Sequence, residues 1–561
     1  MSASDDWKLL IFRDGKRVVD GRALLRELSE LLDQLLSIAD FHCRPSREYL
    51  IEALLRAGEL ECGLADCDPL VPSFSHSTLE QFTDVIADAL VGGHAPTVQS
   101  SLLQAFHQLE IPASLTLSAP EGFCYYALHP LDYCDLLDSF SAAPSAAAVV
   151  GIRSIGTTLS AVVAAWFRAR GVPAQRITVR PTGHPFDRSL AFTTQQREWI
   201  RQHRNLTASF FVVDEGPGLS GSSFLAVAEA LEREGVAAEA IVLLPSSDPD
   251  LGSLIAPNAA ERWRRFQYHG LKPTRYIPDA ATHDLSAGKW RERVFSSQED
   301  WPPVWSWTER RKYLSADHTR LFRFDGHGHY GARVRKRAEI LAENGWGPKV
   351  QNARDGFSEC RWLPGRPPAS VSSELLARLA GYCAFRAEAF GHESTSQTAL
   401  EEMARINLER TIGASVPVSL PVERSVVPDA RMMPQEWLIV DDNRLMKLDA
   451  ASHGDDHFYP GATDIAWDIA GTIVEWELSG EGMQALVSSY EELSGDKMSS
   501  RLPDYLLAYS AFRLAFMLSA EKSVADSAEK ARFLREAGKY RAALQRLMRR
   551  EKRAVALFGD M

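Results

Sequence analysis

The chain has little cysteine: seven residues, an odd number, with no CxxC pair and no zinc-type spacing. That excludes a disulfide framework and a cysteine-based metal centre, and it fits reduced thiols in a cytoplasm. Long apolar runs are missing as well. None approaches the ~20 residues of a membrane-spanning helix, and the opening MSASDDWKLL has no basic head before an apolar segment. Excess positive charge is also absent. With 62 Lys and Arg against 74 Asp and Glu, the net charge of −12 argues against bulk nucleic-acid binding by phosphate neutralisation. The expected partners are therefore small molecules, with neither membrane nor nucleic acid, in a cytoplasmic protein; assembly into a homo-oligomer is left open. What the chain does have is length, since 561 residues exceed one hydrophobic core and predict about three domains.

Residues 1–140 read as mostly helical, from the apolar spacing in Ala23–Phe41 and Ser46–Gly58. The segment Gly122–Tyr133 concentrates aromatics around His129. It reads as the lining of a base pocket or, the more ordinary alternative, as an aromatic seam packed against the next domain. From Ala146 strand and helix patterns alternate, which predicts a parallel α/β sheet over residues 141–300. Its strands are Ala147–Ile152, Ala174–Arg180, Phe210–Val213 and Ala238–Pro245. Leu159, Val162, Val163, Trp166 and Phe167 recur at helical spacing between the first two, with Gly171 at the stop.

The stretch with most chemical content is Ala208–Gly235. An apolar strand is followed by the acid pair Asp214 and Glu215, then by a Gly/Ser loop (Gly216–Ser223), then by a helix. A glycine-rich turn after a buried strand aims backbone N–H groups at an anion, where the next helix presents its positive end. Carboxylates accept hydrogen bonds only, so acids ahead of such a cradle suit a ligand with hydroxyls beside its phosphate. Two further loops fall on the same sheet. The turn Gly151–Thr158 carries Arg153, whose guanidinium fork suits a diphosphate; alternatively it is a plain strand-to-helix turn with capping threonines. Arg180–Leu190 carries the cations Arg180, His184 and Arg188, and its Pro and Gly residues allow a rigid turn with solvated charges.

The central stretch resembles the phosphoribosyl pyrophosphate (PRPP) motif of type I phosphoribosyltransferases, an apolar strand, two acids and a loop ending Thr-Gly-x-Thr. Here the ending is Ser220-Gly221-Ser222-Ser223, the loop is one residue longer, and Gly218 falls near where purine-specific members carry an acid. The resemblance implies transfer of ribose 5-phosphate from PRPP to a nitrogen acceptor with Mg²⁺. Asp214 and Glu215 would hold the metal and the ribose hydroxyls, with Gly218 and Ser220–Ser223 around the 5-phosphate. Gly151, Arg153, Ser154 and Thr157 would take the pyrophosphate, and Arg180, His184 and Arg188 would close over it. Asp214, Glu215 and Arg153 would then be catalytic, since carboxylates near C1 favour an oxocarbenium-like transition state over the neutral ground state. The acceptor is not identified. The same cradle also fits a protein that senses PRPP or a nucleotide.

The region 305–561 has a different pattern. It runs as a strand (Arg320–Gly326), a helix (Gly331–Gly345), the turn-rich Phe357–Pro367, a hairpin ending in acids (Leu438–Asp456) and a helix opening near Asp468. This order resembles the aminoglycoside phosphotransferase and choline kinase group. The resemblance places Arg323 at the strand lysine, Glu339 at the helix glutamate, Asp449 at the metal aspartate and Asp468 at the helix-opening aspartate. The catalytic loop aligns with Asp429-Ala430-Arg431 and Glu436, so an arginine stands where the base belongs. Asp429, Glu436, Asp449 and Asp455 are the candidate Mg²⁺ oxygens, ATP is the implied nucleotide, and small-molecule phosphorylation is a third functional reading. Gly326–Gly331 matches GxGxxG, but it lies between the strand and a basic helix, the wrong place for a nucleotide loop. The basic tail from Ala528 on, including Arg546, Arg549, Arg550, Lys552 and Arg553, reads as the solvated face of a last helix, with contact to RNA or an acidic partner as the alternative. The expected fold class is thus α/β multidomain, with a helical N-terminal region, a parallel-sheet phosphoribosyltransferase-like domain and a C-terminal α+β kinase-like domain.

Overall fold

A computed structural model describes residues 9–558 apart from 12–15, 39–43, 68–72, 141–142, 394, 396, 414, 441–443 and 457–460. The N-terminal region runs β1 (Lys16–Asp20), α1 (Gly21–Ser37), α2 (Arg44–Ala65), α3 (Ser73–Gly92), α4 (Ser100–His107), β2 (Ser114–Ser118), α5 (Glu121–Cys124) and α6 (Asp132–Asp138). Helix α1 starts where the Asp20 carboxylate accepts from the N–H groups of Arg22 and Ala23, satisfying two orphan donors of the first turn. Leu24, Leu28, Leu32 and Leu35 form its buried stripe. The strand pair β1–β2, antiparallel from Lys16↔Ser118 to Asp20↔Ser114, is unannounced in the sequence because its partners are so far apart along the chain.

The middle region runs β3 (Ala147–Ile152), α7 (Ile155–Ala169), β4 (Ala174–Val179), β5 (Thr182–His184), β6 (Asp187–Ser189), α8 (Thr194–Asn205), β7 (Ser209–Val213), α9 (Ser222–Arg233), β8 (Ile241–Leu244), α10 (Ala259–Trp263) and β9 (Gln267–Tyr268). Five strands pair in parallel in the order β4-β3-β7-β8-β9, and β5 and β6 form a small antiparallel hairpin. Every residue of β3 is buried, as a sheet covered on both faces requires. Alternate residues point to opposite faces. Val149, Phe211 and Val213 share a core with α7 and with Leu54, Leu60, Phe82 and Ile86 of the N-terminal helices. Val150, Phe210 and Val212 pack on Phe224, Leu225 and Leu231 of α9. The N-terminal helices therefore supply part of one covering layer of the sheet, and a single core crosses the boundary expected at 140. The seam is locked by Arg176 of β4. Its side chain is fully buried and donates to Glu61 at 2.7 and 2.9 Å, to Asp84 at 2.6 Å and to the Glu80 carbonyl at 3.0 Å.

The C-terminal region runs β10 (Ala281–Asp284), α11 (Arg291–Val294), β11 (Lys312–Ser315), β12 (Arg320–Phe324), α12 (Gly328–Glu343), β13 (Val350–Asn352), β14 (Phe357–Arg361), α13 (Ser373–Ala389), α14 (Gln397–Ile412), β15 (Ser425–Val426), β16 (Trp437–Ile439), β17 (Leu445–Lys447), β18 (Thr463–Asp464), α15 (Ala466–Glu475), α16 (Glu481–Ser494), α17 (Leu502–Ser523) and α18 (Ser527–Phe558). An antiparallel sheet in the order β10-β11-β12-β14-β13 carries α12 between its third and fourth strands in sequence, and its first strand precedes the boundary expected near 300. The helical lobe beside it is built on Trp437, Trp467, Tyr490, Tyr505, Tyr509 and Phe512, all buried. Helix α18 buries Phe533, Ala537, Tyr540 and Leu544 and exposes Arg546 and Arg549, the solvated face expected of the basic tail. The side chains of Arg550, Lys552, Arg553 and Asp455 lie outside the described residues. Among the described residues, no helix is long and apolar enough to cross a membrane. All the cysteines among them are free thiols; Cys43 lies outside.

Candidate functional site

Parallel strands deliver their carboxyl ends to one rim, and the three loops singled out above meet there. The turn after β3 is tight. A Cβ on Gly151 would sit 2.3 Å from the Gly156 carbonyl oxygen, and one on Gly156 would sit 2.6 Å from the Val213 carbonyl oxygen, so only glycine fits at either position. Ser154 holds φ 101° there, a left-handed conformation that costs a non-glycine residue of order 1–3 kcal/mol. Thr157, at the first turn of α7, is fully buried and its hydroxyl oxygen has no hydrogen-bond partner.

The two arginines of the rim converge. Arg153 donates to Asp66 at 3.0 Å and to the Ala65 carbonyl at 2.9 Å, and lies 3.4 Å from the Thr178 hydroxyl. Arg180 donates to the Arg153 carbonyl at 3.0 Å, to Asp66 through two nitrogens (Nε at 3.2 Å) and to the Cys62 sulfur at 3.4 Å. Of the acid pair, Glu215 accepts from the Gly122 N–H at 2.8 Å, and the Asp214 carbonyl accepts from the Tyr133 hydroxyl at 2.7 Å. Burial pushes the Asp214 carboxyl up to about 7, against the Glu215 N–H and the Arg180 charge that lower it. Glu215 is raised well above the carboxylate range by burial and by the neighbouring Glu121.

The β5–β6 hairpin lies over the Gly/Ser loop. The Ser220 and Ser222 hydroxyls both donate to the Pro185 carbonyl, at 3.1 and 2.8 Å. Gly221, at φ 67°, is forced by space as well, because a Cβ there would lie 2.6 Å from the Trp263 indole nitrogen. Gly218 has φ 62° and open space around it, and Ser223 is half-buried in the first turn of α9. His184 accepts from the Phe186 N–H and Arg188 donates to the Pro181 carbonyl, so in this arrangement both brace the hairpin. Sequence reading missed Asp66 and Cys62, which come from the N-terminal helices; Gly122 and Tyr133 lie in the aromatic segment it singled out. The aromatic seam is the reading of Gly122–Tyr133 that matches the packing. His129 is buried, stacks on Tyr276 at 3.9 Å, and is held down to about 4 by desolvation.

In the C-terminal region Arg323 donates to Asp325 and Asp449, both at 2.9 Å, while Glu339 is exposed on α12. Lys312 of β11, absent from the sequence expectations because the strand KYLS is only four residues long, pairs with the other Asp449 oxygen at 2.7 Å. Burial opposes it, but Lys312 and Arg323 together hold the Asp449 carboxyl well below the ordinary range. A Mg²⁺ ion at Asp449 therefore has to displace a cation. Arg431, at the base position, pairs with Glu436 at 2.5 Å. Asp429 is fully buried, bonded to the Tyr382 hydroxyl and 3.3 Å from Lys447. Asp468 accepts from the Asp429 and Ala430 N–H groups at 2.8 and 2.9 Å, which holds the loop in place. No group of three or more metal-ligating side chains occurs among the described residues. The connection between β10 and β11 enters the cleft. Pro303, Val304 and Trp305 line it beside Lys312, Arg323 and Asp449, leaving about 70 Å³, against the roughly 300–1,000 Å³ of a small-molecule pocket. The Gly326–Gly331 stretch opens α12 and serves the seam: the His327 and His329 N–H groups donate to the Phe123 carbonyl and to Glu52.

Part of the chain is similar to solved kinase structures, at low identity and low TM-score. Choline kinase LicA from Streptococcus pneumoniae matches at 14% identity over 42% of this chain and 89% of its own, with a TM-score of 0.27. Macrolide 2′-phosphotransferase MphH from Brachybacterium faecium matches at 17% identity over 41% and 88%, with a TM-score of 0.29. An aminoglycoside phosphotransferase from Alicyclobacillus acidocaldarius matches at 11% identity over 50% and 98%, with a TM-score of 0.26. No family model and no curated protein matches the chain.

Proposed function

We propose that the rim of the parallel sheet binds a ribose phosphate carrying a diphosphate, PRPP in kind, and that the chain responds to this ligand as a PRPP- or nucleotide-sensing protein. Transfer of the ribose 5-phosphate to a nitrogen acceptor is the reaction such a site would support. The observation that carries the reading is the convergence of Arg153 and Arg180 on one anion position beside Asp214, above a turn that admits only glycine at two places. The comparisons lend nothing to PRPP transfer.

Arg153 and Arg180 would bind the diphosphate bidentately. Ser220 and Ser222 would exchange the Pro185 carbonyl for the 5-phosphate, and Asp214 would accept from a ribose hydroxyl. A bound Mg²⁺ would neutralise the diphosphate. Of the acid pair only Asp214 would offer it a carboxylate, since burial keeps Glu215 in its neutral form, so its remaining ligands would be oxygens of the PRPP itself. Because burial raises the Asp214 carboxyl to about 7, the acceptor form gains population as pH rises through that value. Affinity for PRPP with Mg²⁺, measured by calorimetry, is expected to rise several-fold from pH 6 to pH 8. In Asp214→Asn with Glu215→Gln it should fall about 10- to 100-fold, at roughly 1.5–3 kcal/mol per charged hydrogen bond, and lose its pH dependence. Unchanged binding would remove the ribose site. Release of pyrophosphate with any member of a nucleobase panel would convert the sensor into an enzyme.

A second reading, small-molecule phosphorylation by the C-terminal region, is the one implied by its sequence resemblance to the aminoglycoside phosphotransferase and choline kinase group. Arg431 at the base position and the ion-paired Asp449 weigh against it, since a guanidinium cannot accept a proton. The expected result is no substrate-stimulated ATP turnover. Turnover that disappears in Asp449→Ala would establish this reading in place of the first.

A further inference from the structure

The anion position of the rim is filled by the chain's own carboxylate. Asp66 follows the last residue of α2 and receives both guanidinium forks, while Arg153 also caps α2 by donating to the Ala65 carbonyl, one of the orphan acceptors of a helix end. One helix thus presents an acid and a carbonyl to the cations that sequence and geometry both point at a diphosphate.

We propose that Asp66 is a built-in competitor for the diphosphate: ligand entry requires it to leave Arg153 and Arg180, and its departure carries the end of α2 with it. The inference rests on the reading of the rim as a diphosphate site.

Two features of the helix make this a gate and not a rigid part of the fold. The first is a contrast in anchorage along α2. Glu61 is 7% exposed and bound to the fully buried Arg176, so the helix is fixed there. Asp66 lies beyond it with a side chain 24% exposed, against arginines 19% and 33% exposed, so water reaches this pair and can replace it. The second is the fit of α2 against the turn. Gly58 lies so near α7 that a Cβ there would stand 2.0 Å from the Thr158 hydroxyl oxygen. The start of α7, where a phosphate would meet backbone N–H groups, is therefore roofed by α2, and Thr157 is buried beneath it with an unpartnered hydroxyl. The roof lies on the other side of the Glu61 anchor and stays in place, so displacing Asp66 frees the two guanidiniums and moves only the last turn of α2. That turn would then report occupancy of the site.

Calorimetry with inorganic pyrophosphate as the probe, on the full chain, tests this. Asp66→Asn keeps the shape and removes the charge, and is expected to bind pyrophosphate about tenfold tighter than the wild type. Asp66→Glu, which restores a carboxylate, should return close to wild-type affinity. Amide exchange at the C-terminal turn of α2 is expected to speed up when pyrophosphate is added to the wild type. Equal affinities in the wild type and Asp66→Asn would overturn the competitor while leaving the rim reading standing. Absence of binding in both would overturn the rim reading and the gate with it. Tighter binding by Asp66→Glu than by wild type would also count against the gate, because the competing charge is retained. If Asp66→Asn proves unstable, the amide-exchange response of the wild type decides alone, and an α2 end that pyrophosphate leaves equally protected overturns the proposal.

Discussion

Replacing Arg153 and Arg180 together by glutamine is expected to weaken pyrophosphate and PRPP binding by at least about 100-fold, at roughly 1.5–3 kcal/mol for each charge-assisted hydrogen bond lost. Both guanidiniums point at one position, so neither remaining backbone donor nor serine can supply the lost charge. The same substitution by lysine keeps two cations but loses the planar fork, and should recover only part of the affinity. Titration calorimetry of the three proteins checks the series. If the glutamine pair binds pyrophosphate as the wild type does, the arginines are a latch for Asp66 and nothing more. The lysine pair also separates charge from shape: full recovery would mean that the rim attracts anions without recognising a diphosphate.

The second large effect is on stability. Arg176→Met is expected to cost about 3–5 kcal/mol, because it leaves Glu61 buried without its counter-charge. Asp84 is less affected, being partly exposed and within 3.8 Å of Arg168. Unfolding in urea measures the loss, with faster proteolysis of the N-terminal helices as a second readout. Adding Glu61→Gln should recover part of it, since the penalty belongs to the stranded charge more than to the missing contact. A loss below about 1 kcal/mol would mean that Glu61 finds water or another cation, and that Arg176 is not what ties the helices to the sheet. The effect matters for function because Glu61 and Asp66 sit on one helix: the anchor must hold for the far end to act as a gate.

The elements of the fold were legible where they depend on neighbours along the chain. The continuous apolar runs of the buried strands, the spacing of Leu159 to Phe167 in α7, and the Gly/Ser loop after Val213 are local patterns, and each produced the element expected of it. The chain order of the three rim loops was legible for the same reason. Within the C-terminal region, RLFRF, the helix after it and the hairpin before Asp449 were found where the pattern placed them. The strand Ala281–Asp284 was not. It is four residues long, and its place in a sheet depends on pairing with β11 beyond a long connection.

What the rim touches was decided by tertiary structure. Asp66 reaches Arg153 across 87 positions, Gly122 reaches Glu215 across 93, and Lys312 meets Asp449 from a strand of only four residues. No local pattern encodes such meetings. They follow from the packing of the N-terminal helices into the same core as one face of the sheet, which brings the end of α2 over the turn after β3. By itself the sequence determined that three loops follow three parallel strands, because strand, turn and helix signals are properties of adjacent residues. Only the tertiary structure decided that the arginines are held by an acid of their own chain and that the β10–β11 connection lies beside Lys312, Arg323 and Asp449, because burial and charge pairing are settled between segments that composition does not link.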